Sequence, residues 1–194
     1  GDNGYVATWY DQSGSGHHAT QAVLATMPLY VASGQNSKPV LRSEFGNRYL
    51  TSSGLQLANE NSLLIAWTPT NISDNDIVRY AGHFGSGQLR SIDKKPGIYS
   101  SSGSGYHSSA MANGTPYTIF YTFDGNVQVS LSGSNETVTA TTPVFTDSDF
   151  GIFRAATSGT SPSDMFELVA MSAVATTAQR QAAEAAANAY WSIY

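Results

Sequence analysis

The 194-residue chain contains no cysteine, and only 12% of its residues are charged. Without cysteine there are no disulfides, no thiolate nucleophile and no cysteine-ligated zinc. A core of this size needs no covalent staples, so the absence suits a bacterial or phage protein better than a small secreted animal domain. Positive charge is scarce too. Nine Lys and Arg stand against fourteen Asp and Glu, a formal net charge of −5. That balance argues against nucleic acid or an anionic membrane surface as partner. The one basic cluster, Lys94-Lys95 beside Asp93, reads as a solvated turn. No apolar run approaches the roughly 18 residues of a spanning helix, and no signal peptide opens the chain. A start at Gly1 rather than Met reads as a fragment or processed product of a longer protein, with residues 1–194 as one domain.

What the chain has in quantity is turn and strand chemistry: 18 Gly, 11 Tyr and 8 Phe, with abundant Ser and Thr. Strand-like runs fall at 5–10, 29–31, 39–42, 49–51, 62–68, 77–84, 89–92, 97–100, 106–110, 115–123, 126–132, 136–141, 150–153 and 164–172. The sharpest hairpin signal joins Tyr117–Phe123 to Val127–Leu131 through Asp124-Gly125-Asn126, an Asp-Gly turn flanked by period-two alternation. Many short strands at close spacing indicate a two-sheet antiparallel sandwich rather than βαβ units. Trp67, Phe120 and Phe123 are expected in its core.

The end of the chain changes character. Thr176 and Gln179 have capping-box spacing ahead of an alanine-rich run, which predicts one helix over 176–191. Its periodicity places Ala182, Ala183, Ala186, Tyr190 and Ile193 against the sandwich, with Arg180, Gln181 and Glu184 outward.

The most specific local signal lies near the start: Trp9-Tyr10-Asp11-Gln12-Ser13-Gly14-Ser15-Gly16-His17-His18. Asp11 can form an Asx turn, while Gly14 and Gly16 supply positive φ without a Cβ clash. Trp9 and Tyr10 then anchor the strand before the turn, and Gln12 completes the acid-amide pair. This loop resembles the Tyr-Asp-Gln-Ser-Gly-x-Gly-x-His stretch of the arabinofuranosidase B catalytic domain. Similar segments occur in lectin-like domains of phage tail and bacterial surface proteins. Phe150-Gly151-Ile152-Phe153, Phe166-Glu167-Leu168-Val169-Ala170 and the Tyr190-Trp191 ending are similar to the closing strands and helix of such domains. Together these identify the chain as concanavalin-A-like, or laminin-G-like: an all-β jelly-roll sandwich with one C-terminal α-helix. The likeness extends over about twenty residues at motif level, and function lives in the site grafted on a fold.

The arabinofuranosidase pattern departs where its chemistry should be. Retaining hydrolysis needs two carboxyl groups about 5 Å apart. Gly151-Ile152-Phe153-Arg154-Ala155-Ala156 has alanine where the resemblance implies the acid, and Gln88-Leu89-Arg90-Ser91-Ile92 has arginine in the nucleophile run. Asp74 and Asp76, and Asp147 and Asp149, sit in polar turns, and Glu167 lies in a strand. Asp74-Asn75-Asp76 and Asp147-Ser148-Asp149 offer the clustered oxygens that calcium prefers, without the spacing of a recognised calcium loop. No other cofactor is called for. The four histidines, His17, His18, His83 and His107, fit backbone-bonded loop residues better than a zinc site. Gly85-Ser86-Gly87 and Gly103-Ser104-Gly105 are turns, not nucleophile elbows or phosphate loops. Three Asn-x-Ser/Thr sequons, at Asn71, Asn113 and Asn135, match the chance level of so Ser- and Thr-rich a chain.

Sugar recognition asks instead for an aromatic plate and polar groups at the ring's rim. Tyr99, Tyr106 and His107 flank the serine- and glycine-rich stretch 100–105, expected as an exposed loop, and Tyr80, His83 and Arg90 surround another glycine-rich turn. These six are the candidate carbohydrate contacts. The expectation is a non-catalytic glycan-binding or attachment module on a phage fibre, virion or cell surface. Its partners would be cell-surface or extracellular glycans, without nucleic acid or membrane insertion. Homo-oligomerisation stays open, as a trimer if the module sits on a fibre. A glycoside hydrolase with displaced carboxylates and a structural decoration domain are the alternatives.

Overall fold

A computed structural model describes residues 4–44, 48–57, 60–72, 77–83, 87–100, 103–139, 145, 149–153 and 162–194. Two antiparallel sheets face each other. In the first sheet, β1 (Gly4–Tyr5), β4 (Leu29–Val31), β5 (Val40–Ser43), β16 (Ser163–Met171), β7 (Asn61–Pro69), β12 (Tyr117–Phe123), β13 (Val127–Leu131) and β14 (Ser134–Thr139) lie side by side in that order. The second runs β11 (Gly103–Tyr106), β10 (Lys95–Ser100), β9 (Gly87–Ile92), β8 (Ile77–His83), β15 (Asp149–Ile152), β6 (Leu50–Ser53), β3 (Ala19–Thr20) and β2 (Thr8–Trp9). A single helix, α1 (Thr177–Trp191), follows the last strand. This is the two-sheet antiparallel sandwich with one C-terminal helix that the sequence predicts.

Alternation places Leu63, Ile65, Trp67, Ile119, Tyr121 and Phe123 of the first sheet against Leu50, Ala81, Leu89, Ile98, Phe150 and Ile152 of the second, all buried. Trp67, Phe120 and Phe123 are fully buried, as expected. Phe120 belongs to a different layer, however. With Val40, Leu64, Ala66 and Phe166 it lies on the outer face of the first sheet, beneath Ala187, Trp191 and Ile193 of the helical end. Strand β7 is therefore covered on both faces, which explains why Ser62-Leu63-Leu64-Ile65-Ala66-Trp67 reads as a run rather than an alternation.

The helix starts where its capping box predicts. Thr176 Oγ1 accepts the Gln179 amide, while Gln179 Oε1 accepts the Thr176 amide. Its buried face needs correcting, because Arg180, Glu184, Ala187 and Trp191 point inward while Ala182, Ala186 and Tyr190 are outward. The charges pay for this burial in pairs. Arg180 Nη1 lies 2.6 Å from Glu184 Oε2 and 3.0 Å from Ser130 Oγ, which itself donates to Glu184 Oε1 at 2.5 Å. Side-chain spacing identified the helix, but charge sign misled about its face. At the other end, Gln35, Asn36 and Lys38 donate to the carbonyls of Tyr190, Trp191 and Ser192, satisfying the last turn.

Three local expectations also differ. The run 5–10 is not one strand: β1 belongs to the first sheet and β2 to the second, so residues 4–9 cross from one sheet edge to the other. Val6 donates to Pro28 O, and Ala7 O accepts from Gln21 N, along this crossing. Strand β11 ends at Tyr106 rather than beginning there, and Ser100 and Gly103–Gly105 are paired in a hairpin rather than looped out. Ala19–Thr20, two residues long, is too short to show a period.

Removing one member of the buried pair leaves the other charge unsatisfied. Glu184→Ala is expected to lower unfolding free energy by about 3–5 kcal/mol, and Arg180→Met/Glu184→Leu to recover much of it. Urea denaturation of the single and double variants checks both.

Candidate functional site

The helix α1 covers the outer face of the first sheet at β7 and β12, whereas among the described residues no helix covers the second sheet. Its outer positions align in register across all eight strands: Thr8, Thr20, Thr51, Gly151, Gly82, Gln88, Tyr99 and Ser104. The inward neighbours of this row, such as Ala19, Leu50, Phe150, Ala81, Leu89 and Ile98, are buried. The row thus presents three hydroxyls, two positions without a side chain, an amide, a phenol and a further hydroxyl. Gly82 has φ +128°, and a Cβ there would meet Gly87 O at 2.6 Å. Tyr99 is 43% exposed. Beside it, the Gln88 Oε1 is shut off from water and, among the described residues, has no donor.

A second row lies next to the first. Arg90, Gly97 and Tyr106 are directly paired across β9, β10 and β11. With no side chain at Gly97, Arg90 reaches across to give Nε to the Tyr106 hydroxyl at 2.8 Å. The guanidinium also lies 3.9 Å from the centre of the Tyr99 ring, a cation–π contact that pins the plate. A Cβ at Gly97 would lie 2.6 Å from Tyr106 Cδ1. The Gly97 carbonyl, meanwhile, accepts the hydroxyl of core Tyr121 at 3.0 Å.

The structure therefore brings together Arg90, Tyr99 and Tyr106 of the six candidate contacts. His107 is elsewhere. It is fully buried where β11 meets β14, with Nδ1 accepting the Ser109 amide and Nε2 facing Ser134 O at 3.0 Å. That pattern puts the ring proton on Nε2 and leaves neither nitrogen for a ligand. The side chains of Tyr80 and His83, and the whole of Asp74–Asp76 and Ser148, with Asp147, lie outside the described residues. So do Arg154, Ala155 and Ala156. Thr8, Thr20, Thr51, Gly82, Gln88, Gly151 and Ser104 were not singled out from sequence, because only strand register aligns them.

Several carboxylates are tied into the scaffold. Asp164 takes a bidentate fork from Arg42 at 2.6 and 2.7 Å, which raises the guanidinium's pKa. Glu167 accepts the Trp191 indole N–H, and Glu136 accepts the Ser108 amide and hydroxyl, which lower its pKa. No group of three or more His, Asp or Glu among the described residues could hold a metal.

In the opening loop, Asp11 Oδ1 accepts the Ser13 amide at 2.8 Å and Oδ2 the His17 amide at 3.0 Å. His18 Nδ1 accepts the Asp11 amide, and its ring meets Tyr10 edge-on at 5.2 Å. Gly14 and Gly16 take φ of +85° and +80°. Hydrogen bonds from Ser13, then from the His17 amide, lower the Asp11 pKa from 3.8 to about 2.

No family model matches the sequence, and neither does any curated protein. Solved structures do match by fold. A mutant GH54 α-L-arabinofuranosidase soaked with 4-nitrophenyl α-L-arabinofuranoside superposes with a TM-score of 0.66 at 13% identity, over 93% of this chain and 50% of that one. The botulinum neurotoxin type G receptor binding domain gives 0.63 at 12%, over 91% and 48%. Domain 4 of a GH43 extracellular arabinanase from Geobacillus stearothermophilus, in complex with arabinotriose, gives 0.59 at 15%, over 78% of each chain. The chain spans about half the length of the first two. At these identities the likeness establishes the shared β-sandwich fold.

Two outcomes test the local geometry. The Asp11 carboxyl should titrate near pH 2 by carbon-detected NMR. Since its folded pKa lies below its ordinary 3.8, the loop bonds stabilise fully above that value and are lost as pH falls toward 2. Gly97→Ala should displace both the Gly105 carbonyl and the Tyr106 ring, which a Cβ would meet at 2.2 and 2.6 Å, seen as altered Tyr99 and Tyr106 ring shifts and a lower melting temperature.

Proposed function

We propose that this chain is a non-catalytic carbohydrate-binding and attachment module, displayed on a phage fibre, virion or cell surface, and that a glycan docks on the outer face of the second sheet. One observation carries the reading: an exposed tyrosine, held by a stacked arginine, stands in a register-aligned row of hydroxyl and amide side chains interrupted by two adjacent glycines. A sugar ring has one apolar face and a rim of hydroxyls. Tyr99 suits the face, while Thr20, Thr51, Gln88 and Ser104 suit the rim. The fold shared with an arabinotriose-bound domain and an arabinofuranosidase adds support, as do the carboxylates committed to scaffold bonds.

A glycan array on the 194-residue chain tests this. Binding to a defined neutral glycan is expected, weakened at least ten-fold, about 1.4 kcal/mol, by Tyr99→Ala with the melting temperature little changed. A stable protein that binds no glycan would overturn the reading, and release of sugar from the bound ligand would replace it with a hydrolase.

A further inference from the structure

At the edge of the second sheet farthest from β11, the crossing from β1 to β2 roofs a hollow of about 550 Å³. Its floor is apolar, formed by the buried side chains of Leu41, Met165 and Phe166. Trp9 forms a wall, partly buried against the core. Three tyrosines, Tyr5, Tyr10 and Tyr30, stand at the rim, exposed by 47%, 63% and 43%. The Arg48 guanidinium over the Tyr5 ring and the His18 edge against Tyr10 hold two of them in place. Among the described residues, no Asp, Glu, Lys or Arg lines the hollow.

We propose that this hollow is a second binding site, separate from the Tyr99 face, and that it takes a soluble neutral glycoside bearing an apolar aglycone. The apolar surface still open in the hollow belongs to Val6, Trp9 and Pro39 above that floor, and covering it with hydrocarbon gains roughly 25 cal/mol per Å² removed from water. A bare sugar would leave that surface wet. The aromatic rim, with its phenol hydroxyls and Gln12, suits the face and hydroxyls of a sugar ring placed above the aglycone. A charged ligand would surrender its hydration to a wall with no counter-charge. The size fits as well, because ligand pockets generally run from about 300 to 1,000 Å³.

The three tryptophans make the test internal to one molecule. Trp9 lines the hollow, whereas Trp67 is buried in the sandwich core and Trp191, at the end of the helix, is buried against Phe166. Indole N–H resonances of the 194-residue chain are followed while hexyl β-glucoside is added below its micelle concentration. Trp9 should shift saturably while Trp67 and Trp191 stay fixed. Glucose and hexyl β-glucuronide should each bind at least ten-fold more weakly, and Tyr10→Ala/Tyr30→Ala should weaken hexyl glucoside binding at least ten-fold. A Trp9 signal that does not move overturns the proposal, and so does a glucuronide that binds equally well. The comparison among the three ligands on the unaltered chain decides the matter even if the double variant folds poorly. Failure here leaves the glycan-array result at Tyr99 untouched, since Tyr99 does not line the hollow and only Thr8, at the far end of the row, belongs to both.

Discussion

Everything on the surface of this sandwich follows from the double coverage of β7. A strand that is apolar on both sides must lie between two layers, and here the second layer is the helix that ends the chain. Packing Trp191 against Phe166, with its indole N–H on Glu167, closes the outer face of the first sheet. The second sheet has no such cover among the described residues, and its outer face displays polar side chains in register.

Gly97 joins that display to the core. Its carbonyl receives the Tyr121 hydroxyl from across the sandwich, and its missing side chain makes room for the Arg90–Tyr106 contact above. One residue therefore serves the interior with its backbone and the exterior with its emptiness. A polar atom buried in the core is satisfied by the same strand that carries Tyr99.

The sequence made the architecture legible because its signals were local: alternation, an Asp-Gly turn, a capping box. It made Arg90, Tyr99 and Tyr106 legible as chemistry, but not the row through Thr51, Gly151 and Gln88, since register is a property of pairing between distant strands. The helix face misread Arg180 and Glu184 for a related reason. Charged residues usually face water, and only a tertiary partner such as Ser130 reveals that these two satisfy each other inside. His107 shows the same limit, because a histidine beside a turn looks available until the strand that buries it is placed.

The edges of the sandwich have a consequence for how copies of the chain meet. On one side the outermost strands, β1 and β2, are two residues long and belong to a single crossing segment. On the other, β11 and β14 are tied to each other through His107–Ser134 and Ser108–Glu136. A bare edge strand is a template on which another chain can polymerise. Here one side offers a template of only two residues and the other is already engaged with itself. Edge-to-edge growth is thereby blunted, so that even when the chain is crowded at high density its neighbours are steered toward contact through faces.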